Sequence, residues 1–385
     1  MQTILLVGGA GTGLRVITKG KPKALLKLLG KPVVEHVLNN LLNIGINSII
    51  LVSDRPELYE DLTVKYGRIM EIEIVKQYEP EIRGAVLAAR DYIKDYFLLI
   101  YGDVLVPPEA YKVVLDAHKV HEKSSMMLIP EEDVRLYGAV TISSMNTIKE
   151  FIEKPRDTIP GAYACGGVFV FNKNFLTILE EEESMGKALE KYVKLENVIA
   201  SVWSGWWVDI GYPWDVLRAT YYKLDELKKS SIAKNASIAP TAIIKGPVVI
   251  EDEVVIDHYA LLRGPLYIGQ GTFIGSHTMV RTYVNIEENS SIYSYSEIVW
   301  SNIQPKVTIG RASFLGFSVI GEESIIEPNV ITKTLMHLEK GIVKPIEIVK
   351  KQRRYLKLGA FIGARTRVPI GKVLEPGSIV DNELT

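Results

Sequence analysis

The hydrophobic positions of this chain follow two different periodicities, which change over at about residue 230. In the first part, short apolar runs typical of buried strands alternate with longer stretches whose apolar residues recur at helical spacing. Strands are expected at residues 3–7, 48–52, 70–75 and 96–101, and helices at residues 32–44 and 84–93. Strands that alternate with helices in this way are parallel and joined by right-handed crossovers. Residues 1–228 are therefore predicted to form an α/β domain with a Rossmann-like, doubly wound sheet.

In the second part of the chain, one aliphatic residue recurs every six positions. This series comprises Ile232, Ile238, Ile244, Ile250, Ile256, Leu262, Ile268, Ile274, Val280, Ile286, Ile292 and Ile298. A six-residue period is typical of a left-handed parallel β-helix, in which each aliphatic side chain points into a prism of stacked coils. The pattern resumes at 307–331 and 358–380, so residues 231–385 are predicted to form such a domain. The interruption at 335–355 carries basic residues and is expected to be a solvated or subunit-bridging arm.

A glycine-rich segment follows the first predicted strand. It contains, in order, Gly8, Gly9, Gly11, Thr12, Arg15 and Lys23. Glycines allow several backbone N–H groups to converge on one anion, and the two cations add positive charge nearby. This pattern favours a phosphate chain as the ligand. The spacing matches neither a P-loop nor a dinucleotide fingerprint, so on the glycines alone a plain strand-to-helix turn is an equal alternative.

Three further apolar runs end in charged residues. Asp103 follows the run at 97–101, Asp209 follows Trp207 and Val208, and a predicted strand ends in Glu153 and Lys154. In a doubly wound sheet, ligands lie beyond the carboxyl ends of the strands. Two aspartates there suit Mg²⁺, which prefers a few carboxylates together with phosphate oxygens and water. For either aspartate alone, a turn or helix-cap role is the alternative.

Taken in order, these segments resemble a known family. Gly8-Gly9-x-Gly11-Thr12, with Pro22-Lys23 about ten residues later, is similar to the signature of the sugar-phosphate nucleotidylyltransferases. Members of that family join a nucleoside triphosphate to a sugar 1-phosphate and release pyrophosphate. The segments around Asp103, Gly138, Glu153-Lys154-Pro155 and Asp209-Ile210-Gly211 match the family in the same order.

The resemblance implies a role for each matching residue. Asp103 and Asp209 are expected to hold Mg²⁺, and Lys23 to act in catalysis. Arg15 is a further catalytic candidate because its charge lies close to the glycine segment in the sequence, not because it matches the family's motif. The nucleotide is expected to contact Gly8, Gly9, Gly11, Thr12, Gln77 and Gly84, and the sugar phosphate to contact Gly138, Glu153, Lys154 and Gly167. Gln77 is placed to pair with a pyrimidine edge, which favours UTP or dTTP.

The chain also departs from the family. Gly13 stands where the family has an arginine, Cys165 stands where a sugar-contacting asparagine is usual, and only Gly84 remains of a four-residue base and ribose segment. Arg15 and Arg83 are the candidates to replace the missing charge. These departures support a second hypothesis, in which the protein is a weakened paralogue that binds a nucleotide or sugar nucleotide and regulates or scaffolds an active partner. A third hypothesis is a purely structural trimer.

The C-terminal half resembles archaeal bifunctional sugar 1-phosphate nucleotidylyltransferase/acetyltransferases at residues 313–321 and 357–363. The general-base histidine of those enzymes corresponds to Arg311, their later asparagine corresponds to Thr334, and His337 is out of register. An arginine cannot accept a proton at working pH. The sequence therefore predicts no acetyltransferase activity, and the resemblance implies a homotrimer built through the β-helix.

Composition narrows the class of protein further. The 385 residues carry a net charge of −1 at pH 7, which gives no electrostatic case for binding nucleic acid. One cysteine excludes an intramolecular disulfide and fits a reducing compartment. With no signal-like or membrane-spanning apolar run, a cytoplasmic protein is expected. Few glutamines and abundant Ile, Lys and Glu are typical of a thermophile.

Overall fold

The computed structural model describes residues 1–9, 11–336, 343–350 and 353–381. Packing divides the chain into two compact units. The sheet unit comprises Met1–Gly9 and Val33–Asp209, and the prism unit comprises Ala10–Pro32 and Ile210–Thr385. The helices are α1 (Arg15–Thr18), α2 (Val33–Asn43), α3 (Glu60–Tyr66), α4 (Glu81–Ala88), α5 (Pro108–His121), α6 (Asn174–Glu181), α7 (Met185–Leu195) and α8 (Pro213–Asp225).

The strands fall into an irregular series before residue 210 and a regular series after it. The first series is β1 (Gln2–Leu6), β2 (Lys27–Leu28), β3 (Lys31–Pro32), β4 (Ser48–Ser53), β5 (Glu71–Lys76), β6 (Phe97–Tyr101), β7 (Val104–Leu105), β8 (Ser125–Ile129), β9 (Gly138–Ile142), β10 (Ile148–Glu153), β11 (Tyr163–Phe171), β12 (Ile199–Val202) and β13 (Val208–Asp209).

The second series consists of strands of two or three residues as far as Met336. It is β14 (Ser231–Ile232), β15 (Ser237–Ile238), β16 (Ile243–Lys245), β17 (Val248–Ile250), β18 (Val255–Ile256), β19 (Leu261–Arg263), β20 (Leu266–Ile268), β21 (Phe273–Ile274), β22 (Met279–Arg281), β23 (Val284–Ile286), β24 (Ser291–Ile292), β25 (Glu297–Val299), β26 (Asn302–Ile303), β27 (Thr308–Ile309), β28 (Phe314–Gly316), β29 (Val319–Ile320), β30 (Ile325–Ile326), β31 (Ile331–Thr332) and β32 (Leu335–Met336). It continues with β33 (Ile346–Lys350), β34 (Arg353–Lys357), β35 (Phe361–Ile362), β36 (Arg367–Val368), β37 (Val373–Leu374) and β38 (Ile379–Val380).

The sheet unit is built on a mixed sheet of order β10-β9-β11-β6-β1-β4-β5. Strands β6, β1, β4 and β5 are parallel, as the alternating strands and helices predicted. Strand β11 joins β6 in antiparallel register, and β9 and β10 extend that half of the sheet. The Rossmann-like prediction is confirmed, and the antiparallel half is an addition to it. Strand β1 lies between β4 and β6, so the connections diverge to either side of it, which is where such sheets bind ligands.

Aromatic packing forms much of the core beside this sheet. Phe171 stacks on Phe175 with ring centroids 4.1 Å apart, and Tyr192 of α7 meets both rings edge-on. All three side chains are buried. Because aromatic side chains bury large areas, this cluster fixes α6 and α7 against the antiparallel half of the sheet.

The prism unit confirms the predicted left-handed β-helix. Three parallel sheets of stacked strands run from β14, β15 and β16 towards the C-terminus. Every member of the six-residue series from Ile250 to Ile298 is buried in a single core. The first three members are less buried: Ile232 is 45% exposed and Ile238 and Ile244 are partly buried, because the first coil is covered on one side only. Turn residues such as His277 and Tyr295 adopt positive φ at equivalent corners.

Residues 11–32 and α8 pack with the prism although they precede the repeats in sequence. Gly30 N–H donates to the buried carboxylate of Glu287 at 3.0 Å, and Gln304 Nε2 donates to Lys27 O at 2.9 Å. On α8, Thr220 Oγ1 accepts a hydrogen bond from Asn302 at 3.0 Å. The sequence boundary at 228–231 therefore marks where the repeats begin, whereas the packing boundary falls earlier in the chain.

The interruption of the repeat forms an antiparallel sheet of order β32-β34-β33. In the sequence, its three strands lie between β31 and β35 of the repeats. This agrees with the predicted arm, while His337 and Lys351 lie outside the described residues. Within the described ranges, no helix is long and apolar enough to cross a membrane.

Candidate active site

The site begins where β1 and β6 end side by side, with Leu6 opposite Tyr101. Gly102 N–H donates to the carbonyl oxygen of Leu6 at 2.8 Å. A Cβ atom at Gly102 would lie only 2.7 Å from that oxygen, so the chain needs glycine there. This close approach carries Asp103 to the carboxyl edge of the sheet.

Of the two predicted metal ligands, Asp209 lies on β13 and Asp103 immediately precedes β7, the partner strand of β13. Strand β13 pairs antiparallel with β7, which sets Asp209 opposite Val104, the residue after Asp103. The charges of both aspartates act on the Tyr101 hydroxyl, whose pKa is raised first by desolvation and further by its acidic neighbours. The sheet unit therefore brings Asp103 and Asp209 together.

The donor set of this pair fits Mg²⁺. Both groups are carboxylates, and the described ranges hold no cluster of three or more His, Cys, Asp or Glu side chains suited to a metal. Two carboxylates leave coordination positions for phosphate oxygens and water, as Mg²⁺ requires. A structural all-protein cage, as for zinc, is not what these residues provide.

The sugar-phosphate candidates surround the same tyrosine. Glu153 and Cys165 both act on the Tyr101 hydroxyl, and Lys154 follows at the end of β10. Glu153 is exposed, and partial desolvation raises the pKa of its carboxyl while Lys154 opposes the shift. Burial raises the pKa of the Cys165 thiol to about 12, so it is a neutral thiol at ordinary pH.

Two glycines shape the floor of this region. A Cβ atom at Gly138 would lie 2.4 Å from the Phe151 ring. Gly167 has a φ of 77° and lies in a register shift of β11, and its Cβ would approach the Tyr101 ring at 3.1 Å. Bulges of this kind redirect a strand next to a site. Both glycines therefore let an aromatic ring, Phe151 or Tyr101, pack directly against the backbone.

Sequence reasoning missed an aromatic pair beside the carboxylates. Trp207 is buried, and its indole Nε1 donates to Gly166 O at 3.1 Å. The Tyr137 ring meets the indole edge-on with centroids 5.0 Å apart. These contacts tie the Asp209 strand to the β11 bulge. The signal in the sequence that could have indicated this contact is the tryptophan just before Val208 and Asp209, a segment that the sequence analysis interprets only as a metal site.

The sheet unit also gathers three of the nucleotide candidates. A Cβ atom at Gly8 would lie 2.8 Å from Gln77 Oε1. The Gln77 Nε2 group donates to the carbonyls of Glu79 and Glu81 at 2.7 and 2.8 Å, which leaves Oε1 as the acceptor near Gly8. Gly84 is required because its Cβ would lie 2.2 Å from Glu79 O. Gly9, at φ 116°, has open space around it.

The remaining candidates belong to the prism unit. Gly11 has a left-handed backbone, and its Cβ position lies 3.7 Å from Lys23 Cβ. Thr12 begins a short 3₁₀ turn, Thr12–Leu14, which leads directly into α1 at Arg15. Thr12 and Arg15 line a cleft of about 760 Å³ together with Lys19 and other residues of the prism unit.

Comparison with known proteins identifies the family. The model of the family described as Nucleotidyl transferase matches residues 2–226. The chain belongs to the nucleotidyl transferase family. It is 28% identical to the bifunctional protein GlmU of Methanocaldococcus jannaschii, covering 98% of this chain and 91% of that protein.

Other relatives agree with that assignment. A bifunctional sugar-1-phosphate nucleotidylyltransferase/acetyltransferase of Sulfurisphaera tokodaii is 29% identical over 98% of this chain and 93% of its own length. Among solved structures, a UDP-glucose pyrophosphorylase from Acinetobacter baumanii shares the fold with a TM-score of 0.51. It has 23% identity and covers 59% of this chain and 94% of its own.

The loop packs closely around Gly13, the first departure from the family's pattern. A Cβ atom at Gly13 would lie 2.4 Å from the carbonyl oxygen of Gly211 and 3.0 Å from the Tyr212 ring. Backbone atoms cannot move aside cheaply in a close-packed interior. An arginine therefore does not fit at this position without a shift of the loop.

The second candidate to replace the missing arginine, Arg83, is engaged elsewhere in this nucleotidyl transferase. Its Nε donates to the carbonyls of Leu179 and Glu182 at 3.1 and 2.9 Å, and its NH1 pairs with Glu79 at 2.7 Å. The guanidinium thus caps the end of α6 and is a structural group. Of the two candidates, only Arg15 remains for a phosphate.

Proposed function

We propose that this protein is a Mg²⁺-dependent sugar-1-phosphate nucleotidylyltransferase, which transfers a nucleotidyl group from a nucleoside triphosphate to a sugar 1-phosphate. The observation that carries the proposal is the pairing of β7 with β13, in which Asp209 lies opposite Val104, the residue after Asp103. Glu153 acts on the same tyrosine hydroxyl as these two aspartates, with Lys154 next to it in sequence. Binding, regulatory and catalytic roles all remain compatible with family membership, and only catalysis requires these residues together.

The reaction needs alignment more than covalent chemistry. An oxygen of the sugar 1-phosphate attacks the α-phosphorus in line and pyrophosphate leaves, so the protein must hold two mutually repelling anions in place. Asp103 and Asp209 are the ligands for Mg²⁺, which supplies Lewis acidity and neutralises phosphate charge when bound. Lys154 takes the sugar phosphate, and Glu153 accepts hydrogen bonds from sugar hydroxyls.

The glycine segment takes the nucleotide. Backbone N–H groups around Gly8, Gly9 and Gly11 are the expected donors to the phosphate chain, because glycine allows close approach. Lys23 is proposed to neutralise the α-phosphate or the attacking phosphate. Arg15 is proposed to act on the leaving pyrophosphate in place of the family's arginine.

UTP or dTTP is the proposed nucleotide. The free acceptor of Gln77 is Oε1, since both hydrogens of Nε2 are directed at backbone carbonyls. The N3–H of uracil or thymine is a ring donor that matches this acceptor. The sugar 1-phosphate is proposed only as a class.

The test is pyrophosphate release from the four ribonucleoside triphosphates and dTTP, each combined with glucose, mannose or N-acetylglucosamine 1-phosphate. We expect release that requires Mg²⁺ and a sugar 1-phosphate, with UTP or dTTP as the best donor. Absence of turnover with every pair, in protein that still binds nucleotide, would refute catalysis. Preferred use of CTP would refute the role given to Gln77.

A second candidate function rests on Gly13 and Cys165. The loop at Gly13 packs closely against Gly211, and the neutral Cys165 thiol is a weaker hydrogen-bonding group than an amide. These two departures are expected in a weakened paralogue that binds a nucleotide or sugar nucleotide and regulates a partner. It predicts saturable nucleotide binding without turnover, so the same panel with a parallel binding measurement separates the two functions.

The prism is proposed to assemble subunits as a trimer. On the sheet that starts with β16, outward positions in register are mostly apolar, and Ile243, Ile331 and Val373 are exposed. A ladder of this kind favours a second copy of the chain because large exposed apolar patches mark interfaces. Light scattering on purified protein is expected to give three times the 43.0 kDa chain mass, and a monomer would contradict the proposal.

Acetyltransferase activity is proposed to be absent, although two relatives carry bifunctional names. The cavity that holds Arg311 has about 550 Å³ and is lined by Tyr293, Tyr295 and Glu327 among others. None of its lining residues is a histidine to accept the amine proton, and Arg311 cannot. Acetyl-CoA with an amino-sugar 1-phosphate is expected to yield no free thiol, and thiol release would contradict this.

A further inference from the structure

A buried tyrosine contacts the residue just before the glycine segment, and the proposed reaction gives it no role. Tyr59 ends the short 3₁₀ turn Pro56–Tyr59, which follows strand β4 in the sequence, and its side chain is fully buried. Its hydroxyl donates a hydrogen bond of 2.8 Å to the carbonyl oxygen of Val7. Desolvation, with the charge of Asp54, raises the pKa of this hydroxyl well above its usual range. Tyr59 is therefore a neutral donor at ordinary pH.

The Val7 carbonyl marks the place where the chain leaves the sheet. Strand β1 pairs with β4 as far as Leu6 and Val52, and the Val7 N–H donates to the Val52 carbonyl at 2.9 Å. In a parallel ladder, the carbonyl groups accept from backbone N–H groups of the neighbouring strand. The donor to the Val7 carbonyl is a side-chain hydroxyl from outside the ladder. The ladder can therefore end at Val7, where the glycine segment begins.

The same hydrogen bond fixes the direction of the next backbone N–H. The Val7 carbonyl and the Gly8 N–H belong to one peptide unit, and in a planar trans peptide these two groups point in opposite directions. Because the carbonyl is directed at Tyr59, the Gly8 N–H is directed away from it. Within the described part of the chain, the Gly8 N–H has no hydrogen-bond acceptor. It is a donor that a ligand can use, since backbone N–H groups rarely stay unpaired.

Other groups near Gly8 pack against it and do not replace the tyrosine. A Cβ atom at Gly8 would lie 3.1 Å from Asp54 Oδ1 and 2.8 Å from Gln77 Oε1. Both of these oxygens are acceptors, and the Gln77 Nε2 group donates to the carbonyls of Glu79 and Glu81. The Tyr59 hydroxyl is therefore the side-chain group that selects one orientation of this peptide unit.

We propose that Tyr59 positions a backbone donor for the nucleotide: by holding the Val7 carbonyl, its hydroxyl aims the Gly8 N–H at the phosphate chain. This inference rests on the proposed binding of the nucleotide by the glycine segment. A hydrogen bond from a backbone N–H to a phosphate oxygen is charge-assisted, and it weakens steeply when the donor is misaligned. Without the hydroxyl, the peptide unit rotates more freely and part of that bond is lost. Tyr59 is thus a positioning residue, which acts through Val7 and Gly8.

Binding of Mg·UTP to the full-length Tyr59→Phe variant, measured by calorimetry, tests the inference. Phenylalanine keeps the buried ring and removes only the hydroxyl. We expect the Kd to rise about five- to tenfold, as for the loss of one charge-assisted hydrogen bond. An unchanged Kd would overturn the inference and leave the proposed function standing. Binding without turnover in the wild type would refute catalysis alone, and failure of the wild type to bind any nucleotide would overturn both.

Tyr66→Phe is the matched control. Tyr66 is also buried, lies in the next helix, α3, and donates its hydroxyl to Glu35 at 3.0 Å. Both variants lose one buried hydroxyl, so a similar fall in melting temperature is expected in each. Only Tyr59→Phe should bind Mg·UTP more weakly than the wild type. Equal weakening in the two variants would show a general effect on stability and would overturn the inference.

Steady-state kinetics give a second readout that a purely structural role would not move. In Tyr59→Phe, the KM for UTP should rise about five- to tenfold, whereas the KM for the sugar 1-phosphate should stay unchanged. The reason is that Gly8 is assigned to the nucleotide alone. An equal rise in both KM values would contradict the role given to Tyr59.

Discussion

The carboxylate cluster of Asp103, Glu153 and Asp209 and the nucleotide segment at residues 11–23 carry different halves of the candidate chemistry, and they are held by different means. The cluster stands at strand ends, where sheet register fixes it. The segment has only short helical turns of its own and is held by packing on prism residues such as Gly211. A substitution in the cluster is therefore expected to change only its immediate surroundings. A substitution in the segment is expected to disturb its packing against residues distant in sequence.

The largest expected effect is on the cluster. Asp103→Ala should lower turnover by about 10³-fold or more while the protein stays folded, because the change removes a proposed metal ligand and leaves the sheet intact. Initial rates of pyrophosphate release at saturating Mg²⁺ measure this. Asp116→Ala, at an exposed position of α5, is the control and should keep full activity. A loss of less than fivefold in Asp103→Ala would place the metal elsewhere.

The next effect concerns the contact that anchors residues 27–32 to the prism. Burial raises the pKa of Glu287 to about 7, although Asn285 and the Gly30 N–H donate to it. Because the folded pKa exceeds the unfolded value of 4.5, the stability present below about pH 4.5 is lost as the pH rises through 7. The wild type should lose about 3 kcal/mol in this way.

Glu287→Gln tests this directly, since glutamine stays neutral and keeps an acceptor for Gly30. The difference in melting temperature between variant and wild type should be small at pH 4.5–5 and should grow in the variant's favour up to pH 8. Asp215, whose pKa burial raises to about 6, contributes in the same direction and is present in both proteins. A constant difference across this range would show that Glu287 does not titrate there.

A smaller effect is expected from Gly13. Gly13→Ala should destabilise the protein by about 1–3 kcal/mol, because its Cβ meets the carbonyl of Gly211. Gly13→Arg should destabilise at least as much and should not raise the rate. Urea denaturation and initial rates measure the two quantities. A faster Gly13→Arg enzyme of unchanged stability would show that the loop opens to admit the family's arginine.

The smallest effect should come from Trp207. Trp207→Phe keeps the ring contact with Tyr137 but loses the hydrogen bond to Gly166 O, a loss of about 1 kcal/mol. We expect the KM for the sugar 1-phosphate to rise a few-fold, with kcat changed less. An unchanged KM would mean that the β11 bulge does not depend on this bond.

Much of this molecule follows from local sequence patterns. The six-residue period identified the prism because each buried aliphatic repeats the same environment, and Asp103 was found because it ends an apolar run. Other features depend on contacts between distant residues, which no local pattern encodes. The pairing of Gly30 with Glu287, the tight contact of Gly13 with Gly211, and the use of Arg83 to cap α6 are of this kind.

The antiparallel half of the sheet also could not be predicted from local sequence patterns. Strand β11 has the continuous apolar pattern of a buried strand, which is equally compatible with a parallel or an antiparallel neighbour. Its pairing with β6 brings Cys165 and Gly167 to the edge where Asp103 stands, and only the register reveals this. The resemblance to a family supplied the sugar-site residues that periodicity could not.

The carboxylate cluster is proposed to serve the transfer of a nucleotidyl group to a sugar 1-phosphate. Phosphorus NMR of a mixture of protein, Mg²⁺, UTP and glucose 1-phosphate, followed over time beside a sample that contains Asp209→Asn, tests it most directly. The account predicts that pyrophosphate and a nucleotide-sugar diphosphate appear in equal amounts with the wild type and do not form with the variant. Pyrophosphate with UMP instead of the sugar nucleotide, or equal product formation by the variant, would contradict it.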